Sequence, residues 1–217
     1  MFPQKITELK DKLVDYAHLV ERMIEKSIKG LKDKNETLLN EVILKDELRA
    51  NDFDIEIDEM CTETIAQYEP IAGDLRMTLM ILKMNKDLER MADHVVNICE
   101  SSMFLIARPD LRPLDDLVAM AEAASAMLKD GIRSFVNNDV PLAKEVCERD
   151  NVVDDLGDKI LKELITFMHG AKDGIKRSLQ IMRIAHNLER IADLSTNICE
   201  EVVYIVEGKD IKHHHIE

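Results

Sequence analysis

The 217-residue chain has no tryptophan, and only 4% of its residues are aromatic. Its core must therefore be built from the Leu, Ile, Val, Met and Ala that dominate the 46% hydrophobic fraction, as helix-bundle cores are. Seven glycines and five prolines are about half of ordinary usage, too few turn residues for a sandwich or barrel. Uncharged runs such as Met77–Leu82 and Ser101–Ala107 fall far short of the ~20 apolar residues of a membrane-spanning helix. The opening MFPQKITELK lacks the apolar centre of a signal peptide, so a cytoplasmic location is expected. Basic residues are the minority, 29 against 43 acidic, for a formal net charge of −14. That balance argues against a nucleic-acid duplex or an anionic membrane surface as partner and favours cations, basic protein patches or metals. The four cysteines, Cys61, Cys99, Cys147 and Cys199, form no CxxC, and free thiols packed as small core residues in a reducing compartment are expected.

Apolar residues at spacings of three and four, Ile6, Leu9, Leu13, Tyr16, Val20, Met23, Ile24 and Ile28, predict a long amphipathic helix ended by Gly30 and the polar DKNE stretch. A second helix is expected over 36–68, before Pro70 and Gly73. A third, over 74–107, carries a gapless seam at Met77, Ile81, Met84, Leu88, Met91, Val95 and Ile98, the pattern of 3-4 helix packing. After Pro109 and Pro113, helices are expected over 114–136, 140–168 and 174–207, with Gly170 and Gly208 as stops.

The chain repeats itself. Residues 88–100, LERMADHVVNICE, and 188–200, LERIADLSTNICE, are identical at nine of thirteen positions at an offset of 100. LLNEVILKD at 38–46 resembles LAKEVCERD at 142–150 at an offset of 104. The predicted architecture is all-α: six long helices forming two tandem antiparallel three-helix bundles, residues 1–108 and 109–217, related by an internal pseudo-two-fold axis.

Within each copy two acids stand four residues apart, Glu89 with Asp93 and Glu189 with Asp193. That spacing puts both carboxylates on one helical face with Cβ atoms about 5–6 Å apart, where they can share a cation or else repel. Asn97 and Glu100, with Asn197 and Glu200, continue the face. The acids lie one position off the seam, where a neighbouring helix can add ligands. A second ladder, Asp150, Asp154 and Asp158, faces Glu189 and Asp193 if the last two helices are antiparallel neighbours. The first half is less regular: Asp46 is followed four later by Ala50, and Glu47 by Asn51, with a one-residue ambiguity of register. Asp54 and Asp58 form a further pair that a solvated face explains equally well.

All-oxygen ligation points to magnesium, calcium, manganese or iron rather than thiolate zinc. The Glu-x-x-His of di-iron bundle enzymes is absent, which weakens an oxidase reading. No GxGxxG, GxxxxGK[ST] or HExxH occurs. His213, His214 and His215 are expected to be a polar tail that takes metal only adventitiously. Three readings stay open on the residues alone: a metal-binding regulator, a carboxylate-bridged metal enzyme such as an oxidase or phosphohydrolase, and a scaffold whose acidic ladders are solvent faces.

The duplicated three-helix unit ending in LERxADxxxNICE, the PIAGDLR stretch at 70–76 and the GKDIKHHH tail together resemble the PhoU family over nearly the whole chain. The resemblance implies a cytoplasmic, non-enzymatic, dimerising adaptor. It would couple a phosphate-specific ABC transporter to a phosphate sensor histidine kinase, holding uptake and the starvation response down when phosphate is plentiful. It also implies metal clusters, iron foremost with zinc, magnesium, manganese and calcium as alternatives, on Glu89 with Asp93, Glu189 with Asp193 and Asp150 with Asp154. The first-half counterpart of that last pair would be Glu47 with Asn51, a departure toward a neutral ligand.

Overall fold

The computed structural model describes residues 2–111, 114–170, 174–209 and 211. Among them the chain is all helix and turn. α1 (Phe2–Lys32) is followed by α2 (Glu36–Glu41), a π-helical turn (Val42–Asp46) and α3 (Glu47–Tyr68) in one rod, then by α4 (Ala72–Ile106), α5 (Asp115–Asn137), α6 (Val140–Gly170) and α7 (Ile175–Glu207).

Helix ends follow local chemistry. Asn35 caps α2, its side chain accepting the Leu38 N–H at 3.2 Å, as short polar side chains do at N-termini. Asp139 accepts the Leu142 N–H at 3.0 Å and opens α6. Gly208, at φ 69°, ends α7 with its N–H on Tyr204 O at 3.0 Å, the left-handed stop that glycine makes without strain. Gly30 behaves otherwise than expected: α1 runs through it to Lys32. A Cβ at Gly30 would meet Leu39 Cδ2 at 2.6 Å, so this glycine admits the next helix and does not terminate its own. Gly73 likewise lies inside α4, which starts at Ala72.

The seam of α4 is buried from Ile81 to Ile98, with Met77 at its start only partly so, and Ile181, Leu188, Ile191 and Ile198 of α7 are buried too. α4 and α7 form the centre and pack on each other, α1 and α3 flank α4, and α5 and α6 flank α7. The central pair is antiparallel. Lys83 meets Glu201 at 3.4 Å, His94 and Asn187 share a hydrogen bond of 2.9 Å, and Arg183 donates to Asn97 at 2.7 Å and Glu100 at 3.4 Å. Lys83 and Arg183 are equivalent at the repeat offset, and each crosses to the other helix, so the pseudo-two-fold axis runs between α4 and α7. The buried residues of both repeats join in one continuous core.

The π turn was not legible in the apolar spacing, and it explains the ambiguous register. Before it, buried Leu39 and Val42 correspond to Ala143 and Val146, at an offset of 104. After it, buried Ala50, Ile57 and Cys61 correspond to Val153, Ile160 and Leu164, at 103. The first repeat thus accommodates one extra residue as a wide turn, as a π-bulge does. Asp150 and Asp154 then match Glu47 and Asn51 in the register that follows the bulge.

Candidate functional site

In the second repeat α6 and α7 bring together four of the acids predicted from sequence. Burial raises the Asp150 carboxyl to about 6, and the negative charges of Asp154, Asp193 and Glu189 push the same way. Asp154 is raised too, by burial and then by Asp193, Asp155 and Asp158. One oxygen of Asp150 is enclosed by protein without a hydrogen-bond partner. Asp193 is paired by Arg190 at 3.0 Å, and Glu189 lies 3.4 Å from the His186 ring. Gly157 gives the carboxylates room, since a Cβ there would stand 3.3 Å from Glu189 Oε1 and 3.4 Å from Met120 Cε. Beside them opens a cavity of about 260 Å³ lined by Gly157, Asp158, Leu161, Met182, Ala185, His186 and Glu189.

The first repeat is built differently. Burial raises the Glu89 carboxyl, with Asp93 and Asp54 adding to it and Lys86 and Arg90 opposing. Asp54, half of a pair that the sequence left open between a solvated face and a site, is the third acid here. Lys86 Nζ donates to both its oxygens at 2.9 Å and Asn85 to one at 2.8 Å. Asp58 is held by the same two residues at 3.3 and 3.2 Å. Glu47 is half-buried and Asn51 exposed; neither is among the groups acting on Glu89. Asn97 and Glu100 turn to Arg183 across the axis, away from a common site with Glu89 and Asp93.

Sequence reasoning also missed Tyr16. It belonged to the apolar stripe of α1, and nothing in its spacing marked it as polar in role. It is fully buried, its hydroxyl has no partner, and its ring stacks on Phe53 with centroids 5.3 Å apart. Burial, followed by Asp54, Glu89 and Asp93, raises its proton affinity far above the ordinary phenol, so its charged neighbours are the first-repeat acids.

Among the described residues no three His, Cys, Asp or Glu side chains meet at one point that would hold a metal ion. In kind, the donors suit a hard cation: clustered carboxylates, an enclosed oxygen without a partner and no thiolate. Like charges at these spacings repel, and a cation is the group that would draw them in. Cys61, Cys99 and Cys199 are buried while Cys147 is only partly so, and all four are free. Burial lifts the Cys61 and Cys99 thiols to about 12, which suits packing residues. His213, His214 and His215 lie outside the described residues, among which no helix is long and apolar enough to cross a membrane.

Comparison with known proteins bears on the whole chain. The family model for the PhoU domain matches twice, at residues 13–102 and 117–202. A protein of Aquifex aeolicus named phosphate-specific transport system accessory protein PhoU homolog is 36% identical over 214 residues, 99% of this chain and 96% of its own. The crystal structure of PhoU from Pseudomonas aeruginosa superposes with a TM-score of 0.92 at 28% identity, covering 96% of this chain and 100% of that one. The structure of the phosphate transport system regulatory protein PhoU from Streptococcus pneumoniae gives 0.90 at 27%, covering 98% and 100%. With both repeats matched, near-complete coverage and one fold throughout, the chain belongs to the PhoU family.

Proposed function

We propose that this protein is the accessory regulator of a phosphate-specific transport system. In this reading it acts from the cytoplasm as a homodimeric adaptor on the phosphate ABC transporter and the phosphate sensor histidine kinase, restraining uptake and the starvation response when phosphate is plentiful. The observation that carries it is the full-length likeness to proteins named for that role. The net charge of −14 supports protein partners over nucleic acid. The relatives' designation as accessory and regulatory proteins supports signalling by contact, not turnover.

The carboxylate sites would hold metal ions, with iron the foremost candidate. Asp150, Asp154, Glu189 and Asp193 are the residues that would hold such an ion in the second repeat, where it would supply positive charge shared between α6 and α7. The chain's own side chains do the rest. Arg190 orients Asp193, Gly157 leaves space for Glu189, and Arg183 links α7 to Asn97 and Glu100 of α4, tying the halves across the axis.

Deleting the gene and restoring it at high phosphate, with a phosphate-responsive reporter, tests the regulatory role. Constitutive expression cured by the wild-type gene is expected; an unchanged reporter counts against it. For the metal, the double variant Glu189→Ala, Asp193→Ala is expected to lower bound metal after chelator washing. Unchanged metal content would remove this site. Turnover of phosphoesters or peroxide by metal-loaded protein would favour the enzymatic alternative instead.

A further inference from the structure

We propose that the outward face of α3, with the π-helical turn before it, is the surface on which two copies of this chain pair, antiparallel about a two-fold axis between Asn51 and Asp52. The inference rests on the homodimeric reading above and names its interface. α3 packs against α4 and α1, and on its solvent side the rod carries Leu44, Leu48 and Ile55, which are 63%, 63% and 58% exposed. With exposed Asn51 they step +4, +3, +4, as the α4 seam does. That is the period of a helix packed on another helix. The second repeat shows the same positions on a solvated face. In the register that follows the π turn, Leu48, Asn51 and Ile55 correspond to Asn151, Asp154 and Asp158, all polar. An exposed apolar stripe held by one half alone marks a contact surface.

The charges along the stripe select a second copy as its occupant. Two identical faces close on each other only if residue i meets residue j while j meets i, and an antiparallel pair satisfies this here. The two-fold sets Leu48 against the partner's Ile55, and Ile55 against the partner's Leu48. Asn51 meets the partner's Asn51, a polar seam residue of the kind that fixes register. Lys45 lies beside the N-terminal half of the stripe and Glu59 past its C-terminal end, both exposed. The same rotation brings Lys45 to the partner's Glu59, twice in each dimer. Arg49 and Glu56, 3.6 Å apart within the chain, repeat the order of basic before acidic along the helix. A parallel pair would oppose like charges instead. With three apolar side chains from each copy the contact is small, so pairing should depend on concentration.

Sedimentation velocity of the full-length protein over about a hundredfold range of concentration reads the pairing. The mass of two chains is expected for the wild type at the upper end, and the mass of one chain for Leu48→Glu and Ile55→Glu. Both positions are exposed, so both variants should keep the helical circular dichroism of the wild type. Asn151→Glu, the position of Leu48 in the second repeat, should leave pairing unchanged. Lys45→Glu and Glu59→Lys should each raise the dissociation constant about tenfold, since each removes two ion pairs, and the double variant should recover most of the loss. These two reversals report even if the glutamates in the stripe disturb folding. A wild type that stays a single chain throughout overturns the surface together with the homodimeric reading. A dimer that survives Leu48→Glu and Ile55→Glu, or a double reversal no tighter than either single one, overturns this interface and leaves that reading standing.

Discussion

Where the first repeat carries Asp54, Asp58, Asn85 and Lys86, the second carries Gly157, Leu161, Ala185 and His186. In the first, an ammonium and an amide reach across from α4 and bind both acids of α3. In the second, the same place is a cavity of about 260 Å³, and the carboxylates beyond it face one another. A second pair of equivalent positions differs in polarity. Lys26 of α1 bonds Asp46 and Glu41 at 2.8 Å, whereas Asp130 of α5 takes Arg149 at 2.7 Å. Duplication thus preserved the seam and the paired acids while each half found its own counter-charge. Neutralisation by a side chain is permanent. Neutralisation by protons or ions varies with the solution, so the second repeat is the half that can respond to its surroundings.

The largest expected effects test what the halves share. Leu88→Ala and Leu188→Ala, each emptying a fully buried seam position, should each cost about 2–5 kcal/mol of stability in urea denaturation. Clearly unequal costs would break the symmetry argument. Next, Gly157→Asp imports the first repeat's carboxylate without its Lys86. Crowded against Glu189, it should destabilise by about 2 kcal/mol, and adding Ala185→Asn and His186→Lys should recover part of that loss.

Asp150 gives a pH signature. Its folded carboxyl sits at about 6, above the ~3.9 of an unfolded aspartate, so the fold binds a proton that the unfolded chain releases. Stability should therefore rise as pH falls from about 6 toward 4 and be lower at pH 7. Asp150→Asn should flatten that slope and add about 1 kcal/mol at pH 7, after allowance for solvent screening. Thermal unfolding at a series of pH values measures it. Smallest is Lys86→Met, which uncovers Asp54 and Asp58 at a half-exposed ion pair and should cost about 1 kcal/mol or less. His186→Met, which gives up only the exposed 3.4 Å contact with Glu189, should change stability by about half that or less.

Much of the fold was legible because helical periodicity and breaker residues are local properties. The α4 seam, the six rods and the stop at Gly208 all follow from spacing and backbone preference. The site was legible in part. Glu189, Asp193, Asp150 and Asp154 could be placed on facing sides of two helices from their four-residue spacing, and they do converge on one another's charge. Glu47 and Asn51 could be aligned only to within one residue, because a single wide turn at Val42–Asp46 leaves both neighbouring helices with ordinary composition. Asp54 could not be assigned to a site or to a solvated face, since a sequence does not show that Lys86 and Asn85 stand opposite it. Tyr16 looked like core because an apolar stripe hides the one polar atom at the end of its ring.

The sequence by itself determined the helices, their duplication and the acidic pairs, since each is written in residues near one another along the chain. Only the tertiary structure decided which acids are compensated and which are left to each other. That depends on residues 31 to 43 positions apart on different helices, such as Asp54 with Lys86 or Asp150 with Asp193, and their meeting is set by packing and by one extra residue in a turn. Charge balance in a bundle is fixed by what lies across the helix interface, and no period along the chain encodes it.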